Sequence, residues 1–377
     1  MPLSKSLRID ANTLKGRQRM AEVALFPLWH PDIPFPSPET MPDLDAVTHV
    51  AVERAQPGGF HYLHESALAW HDGVFHLGWA NHPINEMNDR DELIRGRRST
   101  DGLTWGPATT WAAPPLGGAS SYNHPVLAVH DDRLWGFFTR WDDRRPSTDI
   151  FTLEDGTWQR REAIIPGFLP FTPPRKLPEG HWIIGGELFW YEAAVAISRG
   201  DDFTAWDVVQ IPRPDAVKLL YPETTLMNRG GELLAICRPR EAETAPVAVS
   251  RDGGRAWTPL QPSNFPLAAS KPLCGALSSG QQFLVTNNLQ AGRPLLSIAV
   301  TRPGGALFEK VWKVRHQQFP LRRLFGGYGE NPTSLVGKPT EWSYPAALEH
   351  NGKLYLSYTQ GKEDCALSII PLAALAV

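Results

Sequence analysis

A hairpin recurs six times along the 377-residue chain, and no other feature restricts its fold as much. Each copy opens on a polar or proline-marked tip and runs as an apolar strand. It then turns at Asp, Asn or Gly and returns as a second apolar strand. The clear copies are HESALAWHDGVFHLGWA from His64, NHPVLAVHDDRLWGFFTR from Asn123, PETTLMNRGGELLAICR from Pro222, CGALSSGQQFLVTNN from Cys274 and YPAALEHNGKLYLSYT from Tyr344. A weaker copy, FTPPRKLPEGHWIIGGE, starts at Phe171. The spacing averages roughly 50 residues, the size of a propeller blade. The expected fold is all-β, a six-bladed β-propeller.

A second marker falls late in several repeats. Ser250-Arg251-Asp252-Gly253-Gly254-Arg255-Ala256-Trp257 has the form S-x-D-x-G-x-x-W, and Ser99 to Trp105 is one residue shorter. SRGDDFTAW from Ser198 is looser, and TRPGGALF from Thr301 has Pro303 for the Asp and Phe308 for the Trp. Each element has a physical task. Asp bonds backbone N–H groups of its own turn. Gly takes up positive φ. The aromatic ring packs between neighbouring sheets. These turns are expected to be structural devices on the outer strands.

Such turns, in register with blade-sized repeats, resemble the Asp boxes of the sialidase superfamily. The tail YPAALEHNGKLYLSYTQGKED is similar to the last blade of bacterial sialidase-like proteins. The resemblance spans about Tyr62 to Pro371 and implies a propeller of sialidase type. Residues 1–377 are then one domain: an arm over 1–20, a ring-closing segment over 21–60 and blades over 62–373. THVAVERA from Thr48 is the strand expected to close the ring against the last blade, which removes exposed sheet edges.

Composition narrows the partners. A net charge of −3 argues against a nucleic-acid surface. No run of about 18 apolar residues marks a membrane span. The first 20 residues show no apolar leader, so a cytoplasmic location is expected. Cys237, Cys274 and Cys365 are widely separated and have no zinc-type spacing, so neither a metal nor another cofactor is expected. The 35 prolines oppose long helices, and the 14 tryptophans suit a packed β core, which takes most of them, or a sugar-binding cleft. The expected partner is a carbohydrate.

In a propeller the innermost strands all start at one face of the axis, so residues at their tips converge. The tips read His64-Glu65, Tyr122-Asn123-His124, Phe171-Thr172, Tyr221-Pro222-Glu223, Lys271 to Cys274 and Tyr344-Pro345. Aligning the copies on Leu68, Leu127, Leu226, Leu277 and Leu348 places Glu65, His124 and Glu223 in equivalent slots. The resemblance implies that Glu223 activates Tyr344 as a nucleophile and that Arg238 binds a sugar carboxylate. A phenol with its pKa near ~10 needs such a base at neutral pH. Tyr344 also reads as a packing ring, and Glu223 as a structural partner of Arg238 or Arg240.

The first arginine of the sialidase clamp is replaced here by His64-Glu65-Ser66. The usual acid position reads Ala80-Asn81-His82, with Glu86, Asp89 and Asp91 nearby. Arg293, Arg322 and Arg323 are alternatives for the last clamp arginine. Glu65 and Glu223 would also serve as a carboxylate pair, and His64, His82 or His124 as an imidazole base. Asn81, His82, Glu86, Arg293 and Lys271 join Arg238 as substrate-binding candidates. The function expected is an exo-acting glycoside hydrolase on a terminal acidic or deoxy sugar. A polysaccharide lyase on uronic-acid glycans, or a glycan-binding propeller without catalysis, is the alternative.

Overall fold

The computed structural model describes residues 25–84, 91–115, 118–189, 191–241, 243–288, 293–316 and 341–377. Glu86, Asp89, Arg322, Arg323 and the arm over 1–20 lie outside these residues. Among the described residues the strands form six antiparallel sheets arranged as a β-propeller. No helix there is long and apolar enough to cross a membrane.

Each sheet is one blade, numbered I to VI from its innermost strand. Those strands are Tyr62–His71, Ser120–His130, the broken pair Phe168–Pro170 and Arg175–Lys176, Thr225–Arg229, Leu273–Ala276 and Trp342–His350. The second strand of each hairpin pairs outward to a third and a fourth. Thr48–Glu53 is the outer strand of blade VI and pairs with Asp364–Pro371. The first and last of these strands therefore share one sheet, and blade VI closes the ring.

The stretch before that strand does something else. Leu28, Trp29 and Met41 are buried in one cluster with Met227, Phe265 and Phe308 of blades IV and V. Asn264 holds the segment there: its Oδ1 accepts from the N–H groups of Leu28 and Trp29, both at 2.8 Å, and its Nδ2 donates to Trp29 O at 2.8 Å. Residues 26–43 thus sheathe the outer edges of two blades through isolated parallel bridges.

The Asp boxes join third to fourth strands. Asp101 Oδ1 accepts from the N–H groups of Leu103 and Thr104 at 2.8 Å, and Asp252 Oδ1 from those of Arg255 and Ala256 at 3.0 and 2.9 Å. Gly102 and Gly254 have φ of 72° and 89°. Trp257 lies in a core cluster with Ile183 and Ile197 of blade III, so the turn pins one blade to the preceding one. This is packing chemistry, far from any reaction.

Candidate axial site

The innermost strands of blades I, II and VI carry register shifts at their tips, between His64 and Ala67, Asn123 and Pro125, and Ser343 and Ala346. A bulge bends the strand and re-aims a side chain. At these tips, and at the tip of blade IV, a non-glycine residue sits in the left-handed region: Glu65 at 62°, His124 at 43°, Glu223 at 42° and Tyr344 at 55°. Left-handed φ is costly for such residues and collects at working sites.

The register of blade VI differs from the sequence alignment by one residue. Leu68, Leu127 and Leu226 stand three positions before the pair that closes their hairpins, at His71, His130 and Arg229. In blade VI that pair is His350 with Lys353, so the equivalent residue is Ala347, not Leu348. The corrected count moves Tyr344, rather than Pro345, into the slot of Glu65, His124 and Glu223. Ala346-Ala347-Leu348 is apolar throughout, so hydrophobicity alone could not fix the register.

Tyr344 and Glu223 meet. The phenol donates to Glu223 Oε1 in a short hydrogen bond. Arg238 Nη1 donates to the same carboxylate oxygen at 2.8 Å and to Tyr344 Oη at 3.1 Å. Burial, then the neighbouring Glu223 charge, holds the phenol well above its usual range. Burial works to lower the Arg238 pKa, but Glu223 and then Tyr344 outweigh it, and the guanidinium stays charged. Arg238 therefore sits between acid and phenol, a closer engagement with the pair than a carboxylate clamp alone requires.

Arg293 lies 5.6 Å from the centre of the Tyr344 ring. Glu341 holds it at 2.6 Å, and Ala269 O accepts from its other nitrogen at 3.0 Å. Lys271 Nζ stands 6.0 Å from the same ring and donates to Pro345 O at 3.3 Å. Burial depresses its pKa to about 8, against the opposing pull of Glu223 and Glu65. Three cations thus surround one phenol.

The tips of blades I and II form a second pair. Glu65 Oε2 accepts the backbone N–H of His124 at 2.6 Å, and its Oε1 lies 3.1 Å from His124 Nδ1. His64 packs against Tyr344 with ring centres 4.0 Å apart and the planes tilted by 50°, and its Nδ1 lies 2.8 Å from Thr359 Oγ1. Burial, reinforced by nearby cations, puts both imidazoles well below their ordinary pKa, so both are neutral at pH 7.

Other candidates have different surroundings. Asn81 is spent within its own blade: its amide donates to Tyr62 O at 2.6 Å and its oxygen accepts from Trp79 Nε1 at 2.8 Å. His82 is buried, and its Nδ1 accepts from Ile84 N at 3.0 Å. Asp91 is exposed. Among the described residues of that stretch the buried acid is Glu92, whose Oε2 lies 3.4 Å from Asn123 Nδ2. Its place directly before Leu93-Ile94, the apolar start of the strand Leu93–Ser99, was the available signal.

Sequence reasoning also passed over Glu187, at the end of the second strand of blade III. Its Oε2 accepts the N–H of Glu223 at 3.3 Å. The signal was Gly185-Gly186 before it. A Cβ on Gly185 would stand 2.4 Å from Thr224 O, so only glycine lets the tip of blade IV approach.

A hydrogen-bonded Tyr–Glu pair bridged by arginine, on the axis of a six-bladed ring with Asp boxes, calls for comparison with known proteins. The model of the BNR repeat-like domain matches residues 87–356. The chain belongs to that family. No curated protein matches it in sequence. Among solved structures it is similar to the Hadza microbial sialidase Hz136, at 13% identity and a TM-score of 0.64, over 87% of this chain and 69% of that one. The Trypanosoma rangeli sialidase in complex with sialic acid is 11% identical, TM-score 0.62, over 89% of this chain and 60% of its own. A protein of unknown function from Dyadobacter fermentans is 15% identical, TM-score 0.62, over 86% and 99%. This BNR-repeat chain thus spans under two thirds of the trypanosomal enzyme and nearly all of the Dyadobacter protein. At these identities the likeness is one of fold, which is sialidase-like.

Proposed function

We propose that this BNR-repeat propeller is an exo-acting glycoside hydrolase that removes a terminal acidic sugar through a tyrosyl intermediate. The observation that carries the reading is the Tyr344–Glu223 hydrogen bond with Arg238 on both groups. A buried phenol keeps its proton until a base takes it, and Glu223 accepts that proton as Tyr344 Oη attacks the anomeric carbon. Arg238 steadies the charge that develops on the phenol oxygen. Arg293 and Lys271 supply positive charge for the carboxylate of the sugar. The Glu65 carboxyl, 3.1 Å from His124 Nδ1, gives its proton to the leaving oxygen and takes one back from the water that attacks the intermediate.

Release of sugar from a panel of aryl glycosides of acidic and deoxy sugars tests the reading. Glu223→Gln is expected to lower kcat by about 10²- to 10⁴-fold, and Tyr344→Phe to abolish turnover, with unfolding midpoints near wild type. If both variants turn over at the wild-type rate, the tyrosyl mechanism is wrong. The neutral His64 packed against Tyr344 favours one other reading, a lyase that abstracts a proton from a uronic acid. A rise in absorbance from an unsaturated uronate product separates the two.

A further inference from the structure

Glu187 belongs to a different blade from Glu223 and has no part in the chemistry above. It is 4% exposed, and the group that it touches is the peptide of Glu223. That peptide leads into the left-handed backbone of Glu223, at φ 42°. An acceptor on its N–H therefore bears on the direction of the catalytic carboxylate. Gly185 allows the close contact, since a Cβ there would stand 2.4 Å from Thr224 O at the tip of blade IV.

We propose that Glu187 is a positioning residue: its neutral carboxyl anchors the peptide of Glu223, and its ionisation disables the Tyr344–Glu223–Arg238 group. This rests on the reading of Glu223 as the base for Tyr344. The charged and titratable groups that act on Glu187 are Glu223, Arg238 and the buried Cys237 thiol. Glu192, on the neighbouring third strand, is paired with Arg213 at 2.9 Å. Burial first, and then the Glu223 charge, raises the Glu187 carboxyl to about 8. The Glu223 N–H itself favours the ionised form, but burial and the Glu223 charge outweigh it, so below that pH Glu187 is uncharged and accepts this N–H without placing a second anion beside Glu223. Above it, a second anion stands beside Glu223 and competes for the Arg238 guanidinium.

The sign follows. Wild-type kcat falls as pH rises through about 8, where Glu187 loses its proton. Glu187→Gln keeps the acceptor but cannot ionise, so it retains neutral-pH kcat and loses this alkaline limb. Glu187→Leu removes the acceptor, and kcat drops by about tenfold or more with KM little changed. Lys271 titrates in the same range; a limb that persists in Glu187→Gln belongs to Lys271 and overturns the proposal.

A readout without substrate keeps this separate from the hydrolase reading. In protein with ¹³C-labelled glutamate carboxyls, one resonance should titrate near pH 8 and vanish in Glu187→Gln. The Glu223 resonance should respond in the same step in wild type alone. If no glycoside is cleaved but both signals are seen, the coupling stands and only the hydrolase reading falls. If neither resonance moves between pH 7 and 9, Glu187 has no such role.

Discussion

A buried lysine and a buried phenol set the terms at the scale of single residues. Tyr344 resists ionisation because burial and Glu223 both oppose a second negative charge, so its proton must leave with the attack rather than before it. Lys271 is the opposite case, a cation whose folded pKa, about 8, lies below the ~10.4 of an unfolded lysine. Between those values the unfolded chain binds the proton more readily, so stability rises with pH across that window. Below pH 8 the buried ammonium is a standing cost. Lys271→Met is therefore expected to raise the unfolding midpoint at pH 7, with its advantage over wild type shrinking from pH 8 to 10. Denaturant titrations at stepped pH check this; an advantage that grows with pH contradicts it. The same variant should weaken binding of acidic sugars, which would explain retention of a destabilising lysine.

Strand tips and outer turns are the elements that decide the rest. Local pattern made the hairpins legible, since period-two apolar strands around Asp, Asn or Gly turns need no distant partner to be recognised. The Asp boxes were legible for the same reason: Asp252 bonds its own turn within four residues. Bulges were not. A bulge is a mismatch between two strands, and in blade VI the run Ala346-Ala347-Leu348 offered no contrast to reveal it. Gly254 combines local and distant constraint. Its φ is 89°, and a Cβ there would lie 2.5 Å from Ile183 Cδ1 of the preceding blade. Gly254→Ala is expected to destabilise by about 1–3 kcal/mol, chiefly through backbone strain, with kinetics on any substrate unchanged. Chemical denaturation measures it, and a wild-type midpoint would show that the turn relaxes freely.

Closure of the ring is a property of the whole molecule. Blade VI takes its outer strand, Thr48–Glu53, from the other end of the blade sequence, and that strand covers Asp364–Pro371. Without it an apolar strand edge is bare, and bare edges recruit other chains. Deleting residues 48–53 should lower the unfolding midpoint and shift the protein to larger species in size-exclusion chromatography. A monomer of wild-type stability would mean that the seam contributes little. The axial site depends on closure too. Ser66 Oγ of blade I donates to Tyr344 O at 3.1 Å, and Ser357 Oγ of blade VI to Ser66 Oγ at 2.9 Å, so opening the seam should also disturb the phenol.

By itself the sequence determined the six hairpins, the outer turns and most of the residues that reach the axis, because each of those is written in neighbouring residues. Glu65, His124, Glu223 and Tyr344 were legible as strand starts with chemistry that a strand does not need. Tertiary structure alone decided how they meet. It placed Tyr344 in the left-handed slot, set Arg238 between phenol and carboxylate, engaged Asn81 with Tyr62 and Trp79 and brought Glu187 to the Glu223 peptide. Those outcomes depend on contacts between blades, across 121 positions for Tyr344 and Glu223 and 36 for Glu223 and Glu187. No local pattern encodes them, since burial, and with it the charge state of each group, exists only once the ring is closed.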